Sequence, residues 1–441
     1  MTADQVVATA VFVGIFVLIM TEKVHRTWAA VGGAVLVSAF ILQSPSKIWD
    51  TIDWETIIFI FGMMVMVEGM SRSGFFRWLC LYVARILKYN VPHLFAAFML
   101  VSAFLSMFIG SITVMLFLAG IIIELSRLLK FNPVPFIIAT VFAANVGGSA
   151  TLSGDPPNII IGTAHGFDLS FFDFLTNIGI VAWIGVLVSL AFFYFVYRRK
   201  LRSESAEPVD AGKMPQPAEA ITDRPMFKFS IFIFLFVVVL LMTHRVTGLT
   251  LDWIGVIAML ATLAAVLAVR LGSGHSSPGA ALKADGDMLK GVDWLTLIFL
   301  LGLFVTVGGM EESGMMDKIA GWIGDAAGGE LVLAITIILW ISAFASALID
   351  NIPFALAMVP VVESLSATHG WSKATLSWPL ALGTDIGGNA TPIGASANVV
   401  ATAIADREGH HISWGTYCKY ALPAMILVIG ICNVYLILRY V

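Results

Sequence analysis

Two polar motifs interrupt apolar segments of this chain and carry most of its candidate chemistry. The first spans 147–158 and reads Gly-Gly-Ser-Ala-Thr-Leu-Ser-Gly-Asp-Pro-Pro-Asn. The second spans 384–398 and reads Thr-Asp-Ile-Gly-Gly-Asn-Ala-Thr-Pro-Ile-Gly-Ala-Ser-Ala-Asn. Because such a density of proline, glycine and aspartate cannot continue a membrane helix, each motif predicts a helix break. A break frees backbone groups and directs half-helix dipoles at the gap, as in solute sites of transporters.

Two further apolar stretches, 94–125 and 331–362, have polar residues at their centres. These are Gly110-Ser111 in the first stretch and Asp350-Asn351-Ile352-Pro353 in the second. Each stretch is too long for one straight helix across an apolar core of ~30 Å. We predict two re-entrant hairpins whose tips lie near the membrane centre, buried in protein or facing water. One tilted, kinked helix in each place is the alternative.

The hairpin tips and the breaks together supply the candidate binding groups. Substrate-binding roles are predicted for main-chain groups, hydroxyls and amides at Ser111, Thr113, Gly148, Ser149, Thr151, Asn158, Asn351, Asn389, Thr391 and Asn398. Proton or ion coupling is predicted for Asp155, Asp350 and Asp385, because a carboxyl group removed from water tends to hold a proton. Asp350 could also cap the helix that follows it, and this role is compatible with coupling.

The predicted deep parts of both hairpins and both breaks contain no Lys, Arg or His. We therefore expect an oxygen-lined, acid-bearing cavity without a basic side chain. Such a cavity suits a neutral polyol-like solute, a proton or a small cation better than an anion.

The elements that must position these groups occur twice, at a constant offset of 240 residues. Of the 22 residues in 53–74, 12 are identical to their counterparts in 293–314, and the same offset brings Asn158 onto Asn398. One offset across separate blocks indicates a duplicated unit, which is the usual construction of a secondary transporter.

Each half is predicted to contain five spans and one hairpin, so the two halves must be inverted relative to each other. The predicted units are a first inverted repeat at 1–197, a cytoplasmic linker at 198–228 and a second repeat at 229–441. The broken helices lie at 136–165 and 377–405 and interfacial helices at 74–90 and 314–328. The remaining spans, of about ten in total, are predicted at 5–21, 27–43, 55–71, 174–197, 229–243, 252–270, 294–310 and 417–439.

Charge gives the orientation of these spans. If the linker between the halves lies in the cytoplasm, 20 Lys and Arg residues lie on the cytoplasmic side of the membrane and 5 on the opposite side. This follows the positive-inside rule and puts both termini outside.

The composition indicates an all-α polytopic membrane protein, with 59% hydrophobic and 12% charged residues. A net charge of −4 without a basic aromatic patch argues against nucleic acid as a partner. The three cysteines are scattered, so neither a metal site nor a disulfide framework is predicted. The chain has no phosphate-binding loop and no catalytic trio within its membrane segments, so we predict no cofactor and no enzyme activity.

At these motifs the chain resembles the ion transporter superfamily, and within it the branch of ArsB arsenite permeases and the melanocyte P protein. Gly-Asp-Pro-Pro-Asn at 154–158 and Gly-Ala-Ser-Ala-Asn at 394–398 are most similar to that branch. Sodium-coupled dicarboxylate transporters of the superfamily carry Ser-Asn-Thr at the hairpin tips, whereas the tips here read Gly-Ser-Ile at 110–112 and Asp-Asn-Ile at 350–352. The resemblance implies a scaffold, a transport unit of hairpins and broken helices, elevator-like motion and, commonly, homodimers.

The leading functional hypothesis is export of arsenite or antimonite across the inner (plasma) membrane, driven by the proton gradient. Neutral As(OH)₃ presents three hydroxyl groups to the predicted Ser, Thr, Asn and Asp oxygens. A sodium/proton antiporter and a citrate- or dicarboxylate-like carrier are the alternatives, and a channel or a membrane enzyme fits less well. The sequence leaves open whether a cytoplasmic ATPase subunit docks on the loops at 198–228 and 272–290.

Overall fold

The computed structural model describes residues 2–21, 24–203, 214–272 and 286–441, which form helices and connecting turns with no strand among them. The central parts of the two predicted cytoplasmic loops, 204–213 and 273–285, lie outside the described residues. The helices of the first half are α1 (Ala3–Thr21), α2 (Arg26–Val37), α3 (Pro45–Asp50), α4 (Trp54–Arg72), α5 (Phe75–Ile86), α6 (Val91–Ile109), α7 (Ser111–Leu129), α8 (Pro133–Gly148), α9 (Pro156–Thr163), α10 (Phe171–Phe174) and α11 (Ile180–Ser203).

The second half repeats this order after a short 3-10 turn at Pro217–Ala220. Its helices are α12 (Arg224–Thr247), α13 (Leu251–Gly272), α14 (Trp294–Glu312), α15 (Met315–Ala327), α16 (Leu331–Ser346), α17 (Asn351–His369), α18 (Lys373–Gly387), α19 (Ser396–Arg407) and α20 (Trp414–Tyr440). Within the described ranges, nine helical segments are long and apolar enough to cross a membrane. The predicted all-α polytopic membrane fold is confirmed.

The chain reverses direction between α6 and α7, at Gly110. This glycine has a positive φ of 74°, which ends one helix and starts the next. Helix α5 leads into α6, and its Arg77 also pairs with Glu124 near the end of α7 at 2.7 Å. Both arms of this first hairpin therefore meet α5 at one edge of the molecule, called here the first edge.

The second hairpin, α16 and α17, is anchored in the same way at the opposite, second edge. Helix α15 leads into α16 and also lies against His369 at the end of α17, where Gly324 leaves no room for a Cβ atom. The arms are longer than the predicted stretches and cover 91–129 and 331–369, because each helix continues past its apolar part into residues such as Arg127 and Glu363.

The broken helices show that the two halves are inverted. The first consists of α8 and α9, interrupted at 149–155 (the first break), and runs from the first edge to the second. There Lys373, which begins α18, contacts the His165 carbonyl just beyond α9 at 3.4 Å. The second broken helix, α18 and α19 with its break at 388–395, returns to the first edge, where Arg127 of α7 pairs with Glu408 at 2.5 Å.

Small residues let each hairpin approach its broken helix. A Cβ atom on Gly147 would lie 2.3 Å from the Ala103 carbonyl oxygen, and one on Gly387 would lie 2.3 Å from the Ala343 Cα atom. The two contacts are related by the same offset of 240 residues. Close packing through small residues stabilises helix pairs in membranes, where no water is released by burial. The paired glycines of the polar motifs are therefore a packing requirement as well as a signal of a break.

Gly147→Ala is expected to lower the free energy of unfolding by about 1–3 kcal/mol or more, because the added methyl group meets main-chain atoms that cannot rotate away. The measurement is the thermal unfolding midpoint of the detergent-solubilised protein. Gly120→Ala on α7 is the matched control, since nothing lies within 4 Å of its Cβ position, and it should leave the midpoint unchanged or slightly higher. Equal effects of the two substitutions would contradict this packing argument.

Candidate functional site

In the first half, the hairpin tip binds the carboxylate of the break. The backbone N–H and the hydroxyl of Ser111 both donate to Asp155 Oδ1, at 3.0 and 2.7 Å. Ser111 is the first residue of α7, so its free N–H group and the helix dipole favour a negative charge there. Asp155 is 1% exposed, and its other oxygen, Oδ2, has no hydrogen-bond partner in the described residues.

In the second half, the acid lies on the hairpin and the hydroxyl on the break. Asp350 caps α17 through the Ile352 N–H at 3.4 Å, and Ser396, the first residue of α19, donates to Asp350 Oδ2 at 2.5 Å. The offset of 240 pairs Asp350 with Gly110 and Ser396 with Pro156. Both halves therefore have a contact between a hairpin tip and a break. In the first half the acid lies on the break, and in the second half it lies on the hairpin.

Arg26, whose side chain is partly exposed, adds a cation to this second contact beside the largely buried Asp350. Its Nη1 atom donates to Asp350 Oδ2 at 2.8 Å and to the Ser396 hydroxyl, and its Nη2 atom donates to Thr296 at 3.2 Å. The expectation of a site without a basic side chain is therefore wrong. The hairpin tips and breaks themselves lack one, but Arg26 begins α2 and reaches the site from another helix.

A cluster of amides joins the two breaks at the centre of the molecule. Asn145, near the end of α8, donates to Asn389 Oδ1 at 2.9 Å and to Asn398 Oδ1 at 3.0 Å. The offset pairs Asn145 with Asp385, which is fully buried and faces Asn158 and Asn351. The two breaks therefore meet across the interface of the repeats.

Several oxygens in this centre accept no hydrogen bond. Among the described residues, no hydrogen bond of normal geometry reaches either carboxylate oxygen of Asp385, Asp155 Oδ2, or the amide oxygens of Asn145 and Asn158. The amides of Asn158 and Asn351 are nevertheless close enough to interact with the Asp385 carboxylate. An unpaired buried polar atom costs about 1–3 kcal/mol, so this group of unpaired atoms makes the centre the candidate binding site. Most of the unpaired groups are acceptors, and one unpaired donor, Asn389 Nδ2, lies among them.

Other predicted site residues hold the break loops in shape. The Asn158 amide donates to the carbonyls of Gly148 and Thr151 at 3.1 and 2.9 Å, and Asn398 does the same with Gly388 and Thr391 at 2.8 and 2.9 Å.

The predicted hydroxyls are bonded to main-chain carbonyls. Thr151 donates to Met107, Thr391 to Ala347 at 2.5 Å, and Ser149 to Val146 at 2.8 Å. Thr113 lines a cavity beside the first hairpin.

Sequence reasoning overlooked four polar residues of the centre, Asn145, Ser106, Arg26 and Ser396. Asn145 could have been found from the offset, because its counterpart Asp385 was already a candidate. Ser106 lies beside Asp155 Oδ2 near Gly148, and its hydroxyl has no partner in the described part of the chain. Arg26 had no local signal, since it stands at a helix start among ordinary span-flanking residues.

The sequence profile of the citrate transporter family matches residues 16–383. The chain therefore belongs to this family. A protein of Mycobacterium leprae called 46 kDa membrane protein is 32% identical over 442 residues, which cover 99% of both chains. The human P protein is 28% identical over 519 residues, with 99% of this chain matching 60% of that protein. The resemblance to the P protein is thus supported, whereas a place among arsenite permeases stays a prediction.

Two solved transporters share the fold. The YdaH transporter of Alcanivorax borkumensis gives a TM-score of 0.57 at 16% identity, covering 98% of this chain and 97% of that one. MtrF of Neisseria gonorrhoeae, described as representing a class of antimetabolite efflux pumps, gives 0.58 at 12% identity, covering 100% and 95%. The family and the helical spans identify the chain as a membrane transporter, and these neighbours share its fold.

Arg26→Ala is expected to lower the free energy of unfolding by about 2–4 kcal/mol, because Asp350 would keep a largely buried charge without its cation. Asp350→Ala in the Arg26→Ala background should add much less than it does alone, which is the signature of direct coupling. Unfolding by SDS in mixed micelles measures all three variants. Arg245→Ala, which breaks an exposed pair with Asp173, is the control and should cost about 0–1 kcal/mol. Additive effects of Arg26→Ala and Asp350→Ala would contradict the pairing.

Proposed function

We propose that this transporter exports arsenite or antimonite in exchange for protons. The observation that carries the proposal is the set of unpaired acceptor oxygens where the two breaks meet, on Asp385, Asp155, Asn145 and Asn158. Neutral As(OH)₃ offers three hydroxyl donors and no charge, so it satisfies acceptors without adding repulsion. An anion bound there would face two carboxyl groups instead.

Coupling is assigned to the same carboxyl groups. Asp155 interacts electrostatically with both Asp385 and Asp350, so these acids repel one another when ionised. A bound proton relieves that repulsion and also supplies a donor to an unpaired oxygen. If these acids must be neutralised either by protons or by the hydrogen-bond donors of a solute, protons and solute compete for the same site. Exchange of one for the other requires such competition.

The motion is assigned to the hairpins and broken helices, which would move as one elevator-like unit against the remaining spans. The Arg26–Asp350 network ties α2 and α14 to this unit and would have to open during the cycle. The inner (plasma) membrane is the proposed location, and a homodimer is the proposed assembly.

A citrate-like carrier is the second candidate, and Arg26 is the observation that favours it. Its guanidinium lies beside the start of α19 and could receive a carboxylate if Asp350 released it. The family profile bears the name of citrate transporters, so this alternative belongs in the same assay. A sodium/proton antiporter is the third outcome that this assay can detect.

Everted membrane vesicles that contain the protein are expected to accumulate arsenite when a proton gradient is imposed, because the predicted cytoplasmic face then meets the external medium. Accumulation should disappear with an uncoupler and be absent from vesicles without the protein. Citrate uptake without arsenite uptake would transfer the assignment to the second candidate. Sodium-dependent dissipation of the pH gradient without solute uptake would indicate the antiporter.

Asp385→Asn is expected to reduce proton-driven accumulation at least about tenfold, because the amide keeps the shape of the side chain but cannot bind and release a proton. Solute exchange between the two faces without a gradient should persist. Purified protein in liposomes separates the two activities. Asp325→Asn on the exposed face of α15 removes the same charge elsewhere and should change neither. Unaltered accumulation by Asp385→Asn would exclude a coupling role for Asp385.

A further inference from the structure

A cavity of about 180 Å³ extends beside the first hairpin to Asp155. It lies between α4, the tip of the first hairpin, the start of α9 and residues 291–296, which lead into α14. Its lining includes the partly or fully exposed residues Glu68, Ser71 and Gly291, at the end of α4 nearest α5 and therefore at the first edge. Its inner end is formed by Asp155, Ser153 and Gly110.

The wall of this cavity is apolar and aromatic. It is built mainly from Phe59, Met63, Met64, Phe108, Leu116 and Phe117. Methionine side chains adapt to ligands of varied shape, and the faces of aromatic rings attract cations. An arsenite molecule would leave most of this wall unused, because it has no apolar part.

The charged groups of the cavity all have one sign. Its described lining contains Glu68, Asp155 and Asp293, and no Lys, Arg or His. Glu68 is paired with Arg72 at 2.6 Å, and Asp293 caps α14 through Thr296 at 3.1 and 2.6 Å. Asp155 is left with an unpaired oxygen and no basic neighbour. A positively charged ligand group at the inner end would supply what is missing.

The second half of the protein shows a cation in the corresponding place. The offset of 240 pairs Phe59 with Phe299, and the guanidinium carbon of Arg26 lies 5.2 Å from the centre of the Phe299 ring. The same guanidinium binds the Asp350–Ser396 contact, which is the counterpart of the hairpin–break contact formed by Ser111 and Asp155. In the second half the protein provides its own cation between an aromatic ring and a buried acid.

We propose that the cavity in the first half binds a lipophilic amine, with its protonated nitrogen between Phe59 and Asp155 and its apolar body against the methionine and phenylalanine wall. This deepens the proposed transport function by adding a substrate class and rests on it for the transport step. Binding itself depends only on the cavity. A carboxylate of the same shape would meet the unpaired Asp155 oxygen, while the bases that contact lining residues, Arg72 and Arg26, are already paired with Glu68 and Asp350. It should therefore be rejected.

Binding is tested with three probes of matching shape, which are phenethylamine, 2-phenylethanol and 3-phenylpropionate. The protein is held in nanodiscs, and competition against tritiated phenethylamine gives the affinities. The amine is expected to bind at least about tenfold more tightly than the alcohol, because only the amine gains the ion pair and the cation–π contact. The carboxylate should bind most weakly.

Two variants distinguish the contribution of the Asp155 charge to binding from the contribution of the apolar cavity wall. Asp155→Asn should bring the affinity for the amine down to that for the alcohol. Met64→Trp should fill the cavity and weaken binding of both probes at least about tenfold. Met242→Trp on the exposed face of α12 is the matched control and should bind like the unaltered protein. Gel filtration verifies that each variant is folded.

The outcomes distinguish this inference from the transport proposal. Equal binding of all three probes, unaffected by Met64→Trp, would indicate partition into lipid and overturn the amine site. Arsenite flux without amine binding would also overturn it and leave the proposed function in place. Amine binding without any solute flux would support the site and count against the transport proposal.

Discussion

The central constraint on this molecule is the presence of ionisable oxygen atoms in the middle of an apolar protein. A charge at that depth costs about 3 kcal/mol or more unless it is paired. In each half, a contact between a hairpin tip and a break lowers this cost, because Ser111 and Ser396, at the starts of helices, donate hydrogen bonds to the carboxylates. The breaks, the glycines that allow them to close, and the inverted order of the halves all bring these helix starts to one place.

Residues that are the same in both halves determine the backbone of the site, and residues that differ between the halves determine its charge. The offset of 240 superimposes glycine on glycine and asparagine on asparagine where the loops must close. It superimposes Gly110 on Asp350, Pro156 on Ser396 and Asn145 on Asp385, where charge is placed. Positions that determine loop shape are therefore the same in both halves, while three positions that carry charge in one half are uncharged in the other or bind a charged partner in only one half.

The sequence was sufficient for the parts of the structure that depend on local chemistry. Proline and glycine density located both breaks within a few residues, and the polar tips located the turns of both hairpins. The ends of the hairpin arms were missed because their helices continue into polar residues beyond the apolar core. Arg26 was missed for a different reason: its partners are 270, 324 and 370 residues away, and no local pattern encodes a contact of that kind.

The difference between the halves also explains how one fold could hold both a polar centre and an apolar cavity. In the second half, Arg26 lies between Phe299 and the hairpin–break contact, so the protein's own cation is present there. In the first half the corresponding space lies against Phe59 and remains a cavity, whose lining contains no Lys, Arg or His among the described residues. The acid there, Asp155, is stabilised on one oxygen by Ser111 and unpaired on the other. A cation from outside the chain that paired with this oxygen would therefore play the part in the first half that Arg26 plays in the second.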